Sequence, residues 1–179
     1  MLALRGVSSR WGGTKPKLQP EWVSTDVRGE RRVALRFDGQ DDNLIFPFRT
    51  LPPGALTVEL VLRVTDVRQG TLLSDQNRGL TIRLNSEGRL TAERLGTCVV
   101  SEKAVTPGEW THIAVVYDYR ELRFYREGVL DGRSEAPALF RGINSRTVVG
   151  ALCREGRALG EHFAGDLAGL AMTARPLVP

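Results

Sequence analysis

Apolar and polar residues alternate with a period of two along most of this chain, and that period is the signature of half-buried strands. The clearest run is Leu56, Val58, Leu60, Leu62 and Val64 against Thr57, Glu59, Val61 and Arg63. A second runs from Thr111, with Ile113, Val115 and Tyr117 set against His112, Ala114 and Val116. After a polar turn at Asp118 to Glu121, Leu122 and Phe124 alternate with Arg123 and Tyr125, which predicts a hairpin with one buried face. Shorter runs cover Val33–Phe37, Leu80–Leu84, Leu90–Ala92, Cys98–Val100, Thr147–Leu152 and Asp166–Met172. Turn residues separate them, among them Asp38-Gly39, Pro52-Pro53-Gly54, Pro107-Gly108 and Asp131-Gly132. No window sustains the i, i+3, i+4, i+7 pattern of an amphipathic helix. Roughly a dozen short strands with regular turns predict an all-β, antiparallel two-sheet sandwich of the jelly-roll kind, with a closed barrel as runner-up.

The 179 residues suit one domain. Residues 31–178 carry the strand pattern, and residues 1–30 read as a partly irregular lead-in. The net charge of +4 is localised: residues 1–32 hold seven Lys or Arg and three acids, so the remainder is neutral. No tight basic run interleaved with aromatics accompanies it, which argues against nucleic acid as a partner. Arg5 interrupts the first apolar residues well before the ~7–15 of a secretory core, and no stretch approaches the ~18 of a membrane span. A native start at Met1 implies the cytoplasm, and excision from a secreted parent implies an extracytoplasmic site. Cys98 and Cys153 are too few for a disulfide scaffold or zinc site, leaving one bridge or two small buried side chains.

Six segments in order then carry a resemblance: ALRFDGQDDNLIF (34–46), LTVELVLRV (56–64), GEWTHIAVVYD (108–118), LRFYREG (122–128), VVGA (148–151) and FAGDLAGLAMTARPL (163–177). The series resembles the laminin-G-like jelly-roll domains of the concanavalin A-like lectin/glucanase superfamily, in particular the bacterial group related to laminin G and pentraxin modules. The resemblance implies a lectin-like sandwich, commonly with a structural calcium near the first loop and help from the last strand. This chain departs from the pattern twice. Leu167-Ala168 stands where the family carries Ile-Asp, so Asp166 is the acid left to replace it, and Tyr125-Arg126-Glu127-Gly128 stands for a Tyr-x-Asp-Gly turn.

Asp38, Asp41 and Asp42 place three carboxylates in five residues. Two readings compete: a Ca²⁺ site completed by Asp166, or caps on the backbone N–H groups of a tight turn. Ala168 in place of the expected acid favours the turn. A sandwich glycosidase needs paired carboxylates on one strand face, yet no Asp/Glu pair is spaced i, i+2 here. His112 reads as structural, Trp110 and Tyr117 as core, and Tyr119 and Tyr125 as solvent-facing. Two loops form a candidate ligand rim, Asp75-Gln76-Asn77-Arg78 and Arg154 to Arg157, extended by Glu161 and His162 and joined by Tyr125. Arg63, Arg83, Arg123 and Arg126 on outward strand positions read as an ordinary mixed-sign face. The chain is therefore expected to be a non-catalytic binding or adhesion module requiring no cofactor, with carbohydrate first among its ligands. A protein-interaction or spacer domain of a larger protein comes second, and a polysaccharide-active enzyme third.

Overall fold

The computed structural model describes residues 19–46, 51, 54–75, 79–136, 146–154, 157–158 and 160–177. Among these are fifteen strands and no helix: β1 (Glu21–Val27), β2 (Glu30–Asp38), β3 (Leu44–Phe46), β4 (Leu56–Val64), β5 (Gly70–Asp75), β6 (Thr81–Leu84), β7 (Arg89–Arg94), β8 (Thr97–Ala104), β9 (Trp110–Tyr117), β10 (Glu121–Arg126), β11 (Val129–Glu135), β12 (Thr147–Val149), β13 (Cys153–Arg154), β14 (Arg157–Ala158) and β15 (Ala164–Thr173). They form a seven-stranded sheet in the order β1-β2-β15-β4-β9-β10-β11, a six-stranded sheet in the order β3-β12-β5-β6-β7-β8 and a two-stranded ribbon β13-β14, antiparallel throughout. The chain is the all-β jelly-roll sandwich that the alternation predicts. β1 pairs with β2 along its full length, so the first sheet takes in chain upstream of residue 31.

Leu56, Val58, Leu60, Leu62, Ile113, Val115 and Phe124 from the first sheet meet Leu72, Leu73, Ile82, Leu84, Leu90 and Ala92 from the second. Each such side chain, fully withdrawn from water, contributes roughly 1.5–3 kcal/mol for the large aliphatics. Between paired Val27 and Glu30, Arg28 and Gly29 both take positive φ (57° and 84°), the conformation of a two-residue hairpin loop whose twist matches its strands. Glu127-Gly128 makes the equivalent loop between β10 and β11.

Among the described residues, the most deeply buried charged side chain lies inside the sandwich. Arg94, at the end of β7, is 1% exposed. Its guanidinium donates to the carbonyls of Gly79 and Gly54 and lies 4.7 Å from the ring centroid of Tyr117, on the opposite sheet. Burial pulls its pKa down, opposed by Tyr117, Asp75 and Tyr119. Asp75 lies nearby, buried at the end of β5 and accepting from the Thr147 hydroxyl at 3.1 Å. The planar fork serves two carbonyls and one ring face at once, which a single ammonium cannot do.

Arg94→Ala is accordingly expected to cost about 3–5 kcal/mol, because it leaves buried acceptors without a donor. Arg94→Lys should recover less than half of that. Urea denaturation measures both, and a loss below about 1 kcal/mol for the alanine variant contradicts the assignment.

Candidate functional site

The FDGQDD segment caps itself. Asp38 Oδ1 accepts the backbone N–H of Gln40 at 2.8 Å and, at longer range, that of Asp41 at 3.4 Å. Asp42 Oδ2 accepts the N–H of Asp38 at 3.0 Å. Burial pushes the Asp38 carboxyl up, but the N–H groups of Gln40, Asp41 and Asp42 and the nearby His162 imidazole outweigh it, so its pKa lies below the ordinary value. Gly39 has φ 73°, and a Cβ there would collide with the Arg68 guanidinium and with Ala164. Arg68 uses that space to donate to the Asp38 carbonyl at 3.0 Å.

A cleft of about 950 Å³ opens between this loop and the segment from Thr65 to Arg68. Glu21, Asp38, Asp41, Asp42 and Asp66 bring carboxylates to its lining, and Arg36, Arg63 and Arg68 bring guanidiniums. All three cations are engaged, Arg68 by the Asp38 carbonyl and by Asp66 at 3.4 Å, Arg36 and Arg63 by Asp166. Asp166 faces away from the core yet is 4% exposed, because Arg36 and Arg63 from the flanking strands converge on it. Arg36 Nε donates to Oδ1 at 2.9 Å, and Arg63 donates to Oδ2 at 2.5 and 3.1 Å. Trp110, expected in the core, lies instead on this outer face with the Arg63 guanidinium 4.8 Å from its ring centroid.

The structure separates several residues that the sequence groups. Carboxylate oxygens of Asp38, Asp41 and Asp42 lie within 4.8 Å of one another, but Asp166 is held apart from them by its two arginines. Ala168, at the position of the family's acid, falls in a bulge where β15 skips a partner on β4. Ca²⁺ takes six to eight oxygens, so three monodentate carboxylates would need further donors. Two loop carbonyls are also engaged, that of Asp38 by Arg68 and that of Asp42 by His162 Nδ1 at 3.3 Å. The donor set fits turn capping better than a cation cage.

The expected ligand rim divides likewise. His162 bridges Thr71 near one end of β5, while Asp75 pairs with Thr147 at the other. Four residues at about 3.3 Å each put these ends about 13 Å apart. Glu161 accepts from the Thr71 hydroxyl at 3.0 Å and lies 3.6 Å from Arg83, so it is engaged with β5 and β6. Asp75 is buried rather than presented on a rim, and Gln76, Asn77 and Arg78 lie outside the described residues. Arg154 and Arg157 pair across a short hairpin. Tyr125 is 7% exposed, packed with Ala114 and Val116 on the outer face, whereas Tyr119 is solvent-facing as expected. Cys153 is buried, Cys98 is exposed, and neither is in a disulfide. The four outward arginines each meet an acid: Arg63 with Asp166, Arg83 with Glu161, Arg123 with Asp118 and Arg126 with Asp131. Sequence reasoning missed Arg36, Asp66 and Arg68 as cleft residues; the Asp-x-Arg spacing of 66–68 carried no distinguishing signal.

Residues 38–179 match the family model described as the concanavalin A-like lectin/glucanases superfamily. No curated protein matches the chain. Among solved structures, the native heptameric SAP-like pentraxin from Limulus polyphemus is similar at TM-score 0.65 and 19% identity, over 87% of this chain and 80% of that one. Domains LG4–5 of the mouse laminin α1 chain give 0.66 and 21% identity over 91% of this chain; 48% of that fragment is covered, so this chain spans about half its length. Domain 4 of an extracellular arabinanase from Geobacillus stearothermophilus, in complex with arabinotriose, gives 0.67 and 18% over 89% and 78%. At these identities the likeness is one of fold.

The depressed Asp38 pKa carries a sign. A carboxyl lowered on folding adds stability above its ordinary value near 3.8, and that stability is lost as pH falls through the lower folded value. Asp38→Asn is therefore expected to be less stable than the parent at neutral pH and to flatten the acid limb of a melting-temperature profile between pH 5 and 2 (approximate limits of the carboxylate range). Parallel profiles for the two proteins contradict this.

Proposed function

Because the chain belongs to the laminin-G-like branch of the concanavalin A-like lectin/glucanases superfamily, we propose that it is a non-catalytic binding module whose ligand is a neutral oligosaccharide held in the cleft between the FDGQDD loop and Thr65–Arg68. The observation that carries this reading is the cleft itself, about 950 Å³ with five carboxylates and three guanidiniums in its lining. Such groups bind vicinal hydroxyls through charge-assisted hydrogen bonds. Five lining carboxylates against three guanidiniums disfavour acidic sugars. The arabinotriose held by the Geobacillus domain supports the ligand class. That relative is one domain of an enzyme, which supports reading this chain as part of a larger protein.

The non-catalytic reading rests on how the carboxylates are used. Asp166 is neutralised by two arginines. The Asp38 and Asp42 carboxylates bond to the loop backbone, and the three loop carboxylates have oxygens closer together than the ~5–9.5 Å between a glycosidase's two carboxyl groups.

Calorimetry against a neutral oligosaccharide panel that includes arabinotriose is expected to detect binding, and Asp41→Ala or Arg68→Ala to weaken it about ten-fold, the loss of one charged hydrogen bond. Silence across the panel with a protein captured instead favours the interaction-module alternative, and polysaccharide cleavage overturns both. Calcium is a second reading of the acidic loop, favoured by its three convergent carboxylates. Ca²⁺ at ten times its Kd should add about 1.4 kcal/mol, or about 3–6 °C in Tm, in the parent but not in Asp41→Asn. No rise at millimolar Ca²⁺ removes it.

A further inference from the structure

The β1–β2 hairpin leaves the plane of its sheet. β2 pairs with β15 only over Leu35–Asp38, and beyond that the hairpin has no strand partner outside itself. Its far half instead touches strands that lie well across the sheet. Thr25 Oγ1 accepts from Arg63 on β4 at 3.3 Å. The Asp26 carbonyl accepts from Trp110 Nε1 on β9 at 2.8 Å. Arg28, at the tip, pairs with Glu127 in the β10–β11 turn and donates to the Trp110 carbonyl at 3.4 Å. The lengths agree: eight residues from Arg36 to Arg28 at about 3.3 Å reach about 26 Å, and four strand spacings from β2 to β10 need about 19 Å. The hairpin thus lies across the outer face, which explains why Asp166 is nearly buried although it points away from the core.

The attachments are few and mostly polar. Side chains at the tip pair are 50% and 42% exposed, and residues 28–33 are exposed throughout. The base of the same hairpin supplies Gln19 and Glu21 to the cleft, and Arg63 is shared between cleft, Asp166 and Thr25.

We propose that the β1–β2 hairpin is a self-docked strap that opens as a local unit from the face of the seven-stranded sheet, and that through Arg63 its closure and occupancy of the cleft stabilise each other. The second half rests on the reading of the cleft as an oligosaccharide site. A segment held by few buried contacts opens at lower free energy than the sheet beneath it. A ligand that favours the closed state must in turn be favoured by closure.

Amide exchange on the intact chain tests both halves. Arg28→Ala, and separately Trp110→Phe, remove strap attachments outside the cleft lining. Each is expected to speed exchange in residues 24–33 by about two- to five-fold, the worth of one exposed contact, with β4 and β9 unchanged. Unchanged exchange in 24–33, or acceleration shared equally by β4 and β9, overturns the strap. In the parent, saturation with a panel oligosaccharide should slow exchange in 24–33, and Arg28→Ala should weaken calorimetric affinity by no more than the factor by which it lowers the closed fraction. Binding that leaves 24–33 unaltered overturns the coupling alone. Absence of binding in the parent removes the cleft reading and the coupling with it, while exchange in the two variants still decides the strap.

Discussion

The dry layer between two apolar sheet faces governs where every charge in this molecule can go. Withdrawing an ion from water costs several kcal/mol even after relaxation, so any charge within the layer must bring its own solvation. Arg94 does so with two glycine carbonyls and the face of Tyr117, which ties the end of β7 to the sheet opposite. Asp75 stays buried beside it, bonded to Thr147, and the candidate site is made from charged groups on the outer face and the rim.

A place outside the dry layer does not leave those groups free. On the outer face of the first sheet Arg36 and Arg63 are drawn onto Asp166, and the hairpin laid over them removes that carboxylate from water. At the rim the acidic loop is held from behind by His162 and from the side by Arg68. On the proposed reading, the charges left to meet a ligand are those at the cleft mouth. On that reading specificity comes from fixed hydrogen-bonding groups, since among the described residues lining the cleft the aromatic one, Phe37, is buried in the core.

The strands themselves were legible because period-two alternation reports directly on a two-faced sheet; Leu56–Val64 and Leu122–Phe124 fall as the pattern requires. The same logic failed where the outer face is itself covered. Tyr125, Ala114 and Val116 occupy polar-side positions yet are buried. Trp110, with the bulk and hydropathy of a core residue, stacks on an arginine outside the core. Alternation tells which side of a sheet a residue takes, but not whether something else in the chain lies over that side.

Local chemistry in the chain determined the fold class, the hairpin turns and the self-capping FDGQDD loop, because each depends on residues within a few positions of one another. Tertiary structure alone decided which charges meet. Asp166 finds Arg36 and Arg63, Arg28 finds Glu127, and His162 finds Asp42 across separations of about a hundred residues. Those pairings follow from strand order and from the path of one hairpin over a sheet, and strand order is set by the global burial of apolar area, which no local stretch of sequence expresses.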